Sequence, residues 1–507
     1  MAVNDNLVCE MDRKKREKTV FISILTAALL LGCFVGVAAA FRVYVNDGER
    51  LNLDSGAVFA IGSSGTEALA SGRVYALTAS GVEALGELEV DEPEPEPSTG
   101  AETGKTDDNA YTGGGGLVPA GGKIGISSST VFVGLRYSYS GRDSTVKSAN
   151  LENAVGEGYE FGYFTASRAF VAEGETDEVR ITMRPTSGGG VAVYSTDSGE
   201  LLYEASNSGA GNMLAVRPAG GSGSAQTWFS GYKYHGSFGY YAVGGQLCVV
   251  NALPLETYVA GVCASEMGAS FPAEALKAQA VAARTFAANY IMRSGYYTSC
   301  GFDLTADTYC QAYSGCGNVT SGISSAVSAT RTQVLTYNGR LIDAQYFSSS
   351  GGGTEDNENV NGNSNHPYLR GVIDPYEQAV SGSNYYSSWS YLLSGSTLGS
   401  RAGIGTVISA EAEYSDTGNV IALELTDSYG RTAVLRRSQC RSTLGLPSLH
   451  YSVEKESGGF RFTGSGWGHS LGMSQFGAYA MAAYYNFTYK DILGFYYTGV
   501  GISYGDY

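Results

Sequence analysis

Leu253-Pro-Leu-Glu-Thr-Tyr-Val-Ala-Gly-Val-Cys-Ala-Ser-Glu266-Met267, followed after a break at Gly268 to Phe271 by Pro272-Ala-Glu-Ala-Leu-Lys277-Ala-Gln-Ala-Val-Ala-Ala-Arg284, is the densest helical signal in the chain. The spacing predicts a first helix from Pro254, whose missing N–H costs nothing in a first turn, to about Met267, with Gly268 as its C-cap. A second helix is expected from Ser270 or Phe271, with Pro272 in its first turn and Glu274 near the positive end of the dipole. Leu276, Ala280, Ala283, Ala287 and Ile291 keep helical spacing, while Lys277 and Arg284, seven apart, share another face. Glu266 then stands at a corner between two helices. Taken alone, the corner offers one carboxylate and two cations, and on the helix pattern by itself the cations read first as an ordinary solvated face.

The 507 residues around it exceed one ordinary core, so two folded domains with accessory segments are expected. Seventy Gly and 37 Tyr with only 16% charged residues suit an extracytoplasmic chain rich in turns and polar-aromatic surface. The net charge of −17 argues against nucleic acid, since phosphate contacts need clustered Lys and Arg. Such clustering occurs only at Arg13-Lys-Lys-Arg16 and Lys18, ahead of the uncharged apolar run from Thr19 to Phe41. At about 1.5 Å per residue that run crosses a bilayer of about 30 Å, and the preceding cations set the N-terminus inside. The expectation is a cytoplasmic tail at 1–18 and a single uncleaved signal anchor at 19–41, placing the protein at the cell membrane with its bulk outside. A signal peptide cut near Ala38-Ala-Ala40 is the alternative.

Residues 42–85 carry strand-like alternation at Arg42 to Val45 and no assignable function. Residues 86–122, with Asp91-Glu-Pro-Glu-Pro-Glu-Pro97 and then four glycines from Gly113, are too polar to fold alone and read as an acidic linker. Residues 123–230 show short alternating runs at Val131 to Tyr137, Glu160 to Phe164, Val179 to Met183 and Val191 to Tyr194, which predict a β-rich accessory module. Three more strands, Tyr232 to Gly236, Tyr240 to Val243 and Leu247 to Val250, lead into the helical corner of the domain at 231–507. Cys300, Cys310 and Cys316 cluster among turn-forming residues, so a disulfide is expected there if this part is exported, with no pairing readable from the sequence.

Further motifs follow in order: Cys310-Gln-Ala-Tyr313, Tyr346-Phe-Ser-Ser-Ser-Gly-Gly-Gly-Thr-Glu-Asp356, Pro367-Tyr-Leu-Arg-Gly-Val-Ile-Asp-Pro375 and Gly464-Ser-Gly-Trp-Gly-His-Ser-Leu-Gly-Met-Ser-Gln-Phe-Gly-Ala478. Together with the Leu253 and Ala275 stretches, they resemble the stage II sporulation protein D and LytB family of bacterial cell-wall proteins, firmly over 245–503. The resemblance implies an α+β fold and lytic transglycosylase activity on peptidoglycan during engulfment or wall remodelling, with Glu266 at the position of the family's catalytic glutamate. It also implies the alternative of a non-catalytic amidase enhancer, and it suggests stage II sporulation proteins P and M or a cell-wall amidase as partners. Some relatives bind zinc near the Cys310 motif. Here Thr305 stands where a second cysteine would, and no His lies from Lys277 to Gln345, so neither metal nor cofactor is expected.

The chemistry agrees with one carboxylate. A hydrolytic glycosidase normally needs an acid and a second base or nucleophile. A lytic transglycosylase needs one acid/base, which protonates the glycosidic oxygen and then helps the muramoyl C6 hydroxyl attack C1. Lys277, Arg284, Gln311, Tyr313, Ser348, Ser349, Trp467, His469, Ser474 and Gln475 are the candidate substrate-binding residues, with Glu355 as a reserve second carboxylate. Arg370 and Asp374 read as a structural ion pair. A Cys263 and His469 nucleophile pair is disfavoured, because Cys263 lies toward the helix end whose dipole opposes a thiolate. Residues 376–463 carry no recognisable chemistry.

Overall fold

The computed structural model describes residues 116–507 apart from 120, 154–155, 221–225 and 294–299, and before them only the backbone of six strands. The chain divides into two compact units, Met1–Thr106 and Asp107–Tyr507. In the first, three antiparallel pairs are described: Thr19–Ile24 with Phe41–Asn46, Val58–Gly62 with Gly65–Leu69, and Arg73–Thr78 with Gly81–Glu87. Thr19–Ile24 is therefore strand where the start of a helical anchor was expected. Residues 25–40 of that anchor, the tail at 1–18 and residues 88–115 of the acidic linker lie outside the described residues. Among the described residues no helix is long and apolar enough to cross a membrane.

The second unit is α+β. Alternation at 130–254 builds two antiparallel-rich sheets. One has six strands, from Leu201–Ala205 at one edge through Arg180–Pro185 and Ala149–Asn153 to Tyr232–Tyr234 at the other. The other has seven, from Phe170–Thr176 through Ser237–Val243, Gln246–Pro254 and Thr130–Arg136 to the two-residue Leu304–Thr305. Their inward side chains, among them Ile181, Met183, Val193, Phe161, Val216, Phe238 and Val249, share one apolar core. Strands on both sides of residue 231 pair here, since Gln246–Pro254 lies antiparallel to Thr130–Arg136.

Gln246–Pro254 runs without a loop into the helix Leu255–Glu266. Pro254 is the N-cap residue rather than the first helical one, and Pro272 holds the same place before Ala273–Met292, so both helices begin slightly later than expected. Gly268, at φ +77°, ends the first helix, and its N–H and that of Met267 bond the Cys263 carbonyl.

Ala273–Met292 is buried on nearly all sides. Ala275, Ala278, Ala280, Ala282, Ala283, Ala287 and Ala288 have no exposed surface. Small side chains let the first helix, Ser321–Ala329, Gln475–Tyr484, Tyr489–Tyr496 and the strand Gln333–Tyr337 close around it. The solvated face expected for Arg284 is absent for that reason. The last helix opens with the capping box read from the sequence, Thr488 and Asp491 satisfying each other's backbone N–H groups. The strand Gly501–Asp506 returns to pair with Gln333–Tyr337 and Lys123–Gly125. A second, smaller core gathers Val407, Leu423, Leu425, Leu435, Phe460 and Phe462 from the strands of 389–464, with Leu449 from the loop before the strand Tyr451–Glu456.

Candidate active site

Glu266 is the last residue of its helix, half-buried, at the end where backbone carbonyls point outward. A carboxylate there meets the negative end of the helix dipole. Burial pushes its pKa above the ordinary range, opposed by three hydrogen bonds to the charged form, from the Ala312 backbone, Gln475 and Tyr346. The Ala312 N–H donates to Oε1 at 2.8 Å and the Gln475 amide to Oε2 at 3.3 Å. Among the described residues no cation pairs with it. Burial thus favours the protonated form of the Glu266 carboxyl above the usual carboxylate range.

Each donor is placed by a different motif. Gln311 is buried, accepts from the Tyr258 hydroxyl at 3.1 Å, and donates to the Tyr346 hydroxyl at 2.9 Å and the Ala283 carbonyl at 3.4 Å. That fixes the peptide that presents Ala312. Ser265 Oγ accepts from the Ser314 N–H at 3.0 Å and tightens the same loop. Gly261 allows the approach, because a Cβ there would stand 2.5 Å from the Tyr313 ring and 2.7 Å from the Gly315 carbonyl.

Tyr346–Phe347 pairs in parallel with Met473–Ser474, a two-residue ladder that sets Tyr346 beside Gln475 at the carboxylate. Burial and the nearby charge of Glu266 push the Tyr346 phenol well up, so it stays a donor. His469 holds this arrangement from behind: its Nε2 bonds the Tyr346 carbonyl at 3.0 Å and its Nδ1 accepts from the Leu471 N–H at 3.1 Å. Burial holds its pKa down at about 4, so it is a neutral strut with both nitrogens engaged. Cys263 has no exposed surface and burial pushes its thiol up to about 12, so this pair cannot form a thiolate and base.

The Gln311, Tyr346 and Gln475 motifs therefore meet at Glu266, and Trp467 remains 44% exposed on the same loop as His469. Other candidates are placed in the scaffold. Arg284 has no exposed surface and forms a two-pronged ion pair with Glu256, at 2.9 and 2.7 Å. Burial pushes Glu256 up, but the bonds and charge of Arg284, the Tyr507 hydroxyl and the Thr332 amide outweigh it and hold the carboxyl below its usual range. Lys277 pairs with Glu274 on its own helix. Tyr313 is buried in the core with its hydroxyl on Asn251 at 2.9 Å. Glu355, 1% exposed, accepts from the Asp356 N–H, Asn359, Ser415 and Thr417, which leaves it no role as a second carboxylate facing substrate.

The serines converge on a carboxylate that the sequence did not single out. Glu377 accepts from the Ser349 hydroxyl, the Ser350 N–H and hydroxyl at 2.7 and 2.6 Å, Ser474 at 2.8 Å and Asn384 at 3.0 Å. Ser474 also caps the helix Gln475–Tyr484 by accepting from the Gly477 N–H. Ser348 uses its carbonyl to accept from the Phe476 N–H. Asp374 lies beside this knot with Tyr496 and Ser350, and burial and the charge of Glu377 raise its pKa. Arg370 pairs with Asp356 and Glu358 rather than with Asp374. Cys300 and Cys310 both lie against the apolar cluster of Tyr137, Cys248 and Phe302, while the Cys316 N–H bonds Lys233 elsewhere.

A family model described as stage II sporulation protein matches residues 243–337, which contain Glu266 and the Gln311 loop. Stage II sporulation protein D of Bacillus subtilis is 32% identical over 275 residues, covering 51% of this chain and 76% of its own length. The chain belongs to the stage II sporulation protein D family. An uncharacterised relative from Brachyspira hyodysenteriae is 36% identical over 285 residues, 54% of this chain and 73% of that protein. A family relative with a different name, the amidase enhancer of Bacillus subtilis, is 27% identical over 423 residues, 72% of this chain and 54% of its own.

Proposed function

We propose that this protein is a peptidoglycan lytic transglycosylase in which Glu266 is the single acid/base, working in sporulation or wall remodelling from the outer face of the cell membrane. The observation that carries the reading is the Glu266 carboxyl itself, raised by burial yet held by three neutral donors. Protonated, it donates to the glycosidic oxygen as the C1–O bond breaks. As the carboxylate, it then accepts the proton of the muramoyl C6 hydroxyl as that oxygen bonds C1, so the proton is returned and no water is consumed. The Ala312, Gln475 and Tyr346 donors steady the anion between the two steps. Membership of a family with sporulation proteins supports the setting; the membrane position rests on the length and lack of charge of the run at 19–41 alone, since Thr19–Ile24 within it is strand.

The name of the amidase enhancer relative favours a second reading, a wall-binding protein that activates an amidase. Incubation of the full chain with peptidoglycan, with and without an added amidase, separates the two. The transglycosylase reading expects soluble muropeptides from the chain alone and none from Glu266→Gln. Release that needs the amidase and is indifferent to Glu266→Gln would establish the second reading.

A further inference from the structure

Tyr385 and Tyr386 lie in the stretch that offered no chemistry in the sequence, yet their rings join that of Trp467, on the loop that carries His469. The Tyr386 ring lies 4.9 Å from that of Trp467 at 32°, close to a stack, and Tyr385 stands perpendicular to it at 5.5 Å. Tyr385 is 88% exposed and Trp467 44%, so these rings spend apolar surface on solvent. On its other side Tyr386 meets Phe476 edge-on at 6.4 Å. Phe476 directly follows Gln475, whose amide bonds Glu266. The row thus ends on the helix whose first residue, Gln475, bonds Glu266.

The row is also rigid. Trp467 exchanges backbone bonds with Ser349 at 2.8 and 3.1 Å, and the Gly466 N–H bonds the Tyr386 carbonyl at 2.8 Å. The Tyr386 N–H bonds Asn384 Oδ1 at 2.9 Å, and Asn384 donates to Glu377 and Ser349. Both rings are tied to one buried knot. Beside them a cavity of about 260 Å³ is lined by polar groups that include Gln378, Ser387 and Ser465. An apolar ring face with hydroxyl-bonding groups at its rim matches a pyranose, which has a C–H face and hydroxyl edges. The carboxylates nearby, Asp374 and Glu377, disfavour an anion, so the ring that suits this place is the strand's uncharged N-acetylglucosamine and not the muramoyl sugar with its lactyl carboxylate.

We propose that Tyr386 and Trp467, with Tyr385 at the outer end, form a sugar-stacking subsite that holds the glycan strand running toward Glu266. This rests on the reading of Glu266 as the acid of a glycan-cleaving site. The test uses the full chain carrying Glu266→Gln, so that strands are not consumed, and soluble peptide-stripped peptidoglycan strands as probe. Tyr386→Ala and Trp467→Ala are each expected to weaken binding by about tenfold, the loss common when a central aromatic anchor is truncated. Tyr386→Phe and Trp467→Tyr should stay within about twofold of the parent, as should Tyr429→Ala, an 81% exposed tyrosine on a distant turn. Unchanged affinity in both alanine variants would overturn the subsite. Tenfold losses in a chain that binds but, with Glu266 restored, leaves strands uncut would keep the subsite and sink the transglycosylase. Cutting with undiminished binding in the alanine variants would do the reverse, and no strand binding at all would overturn both.

Discussion

Replacing Arg284 by Met asks whether that cation serves the scaffold or the substrate. The guanidinium makes two bonds to Glu256 and three more to the carbonyls of Ala280, Val327 and Gln333, and has no exposed surface. Arg284→Met keeps the apolar stem but leaves Glu256, with its side chain 11% exposed, ionised and short of its partner. Breaking one side of a buried pair costs about 3–5 kcal/mol. With a urea dependence near 3 kcal/mol/M, the midpoint falls by about 1 M or more. The effect depends on pH with a definite sign. Arg284 holds Glu256 below its usual range, so this contribution is present above the unfolded carboxyl pKa of about 4.3 and is lost as pH falls through the folded value. The gap between wild type and Arg284→Met should therefore be widest near neutrality and narrow in acid, and Glu256→Gln combined with Arg284→Met should recover part of the loss. A midpoint unchanged by Arg284→Met, together with lost glycan binding, would refute the scaffold assignment and return Arg284 to the substrate.

Other outcomes follow from the corner. Gly261→Ala drives a methyl into the Tyr313 ring and the Gly315 carbonyl, and should cost about 1–3 kcal/mol of stability while displacing Ala312 and lowering the turnover of glycan. Gln475→Leu removes a bond that favours the charged Glu266, so the carboxyl should stay protonated to higher pH and the alkaline limb of the pH–rate profile should move up. A limb that moved down would contradict the assignment of Glu266 as the acid. Cys263→Ser should leave glycan cleavage within about twofold of wild type, since general acid–base work by Glu266 needs no thiol; loss of a hundredfold would revive a cysteine nucleophile.

Local pattern carried far where one side chain or one period decides the outcome. The alternation at Val131 to Tyr137, Glu160 to Phe164 and Val191 to Tyr194 marks strands that form there, and Thr488 with Asp491 forms the capping box that its spacing predicts. The corner at Glu266 was legible because Gly268 and Pro272 punctuate it. Arg284 was not, because spacing along one helix cannot say that five other elements close around it. Glu355 and Tyr313 failed for a related reason: a motif shows that a residue belongs to a loop, not which side of the loop faces inward. Glu377 was invisible because its partners Ser349, Ser350, Asn384 and Ser474 are gathered from separate segments, and nothing adjacent to it marks the knot. Tyr346 stood in plain view at the head of its motif, yet its bearing on Glu266 depends on a parallel pairing with Met473–Ser474 that only the fold supplies.

The proposed mechanism has one carboxyl group performing both proton transfers without water. Mass spectrometry of the products released from peptide-stripped glycan by the full chain tests it most directly. Wild type should yield 1,6-anhydromuramoyl ends, reduced roughly a hundredfold or more by Glu266→Gln. Products bearing ordinary reducing ends, or anhydro ends made undiminished by Glu266→Gln, would contradict it.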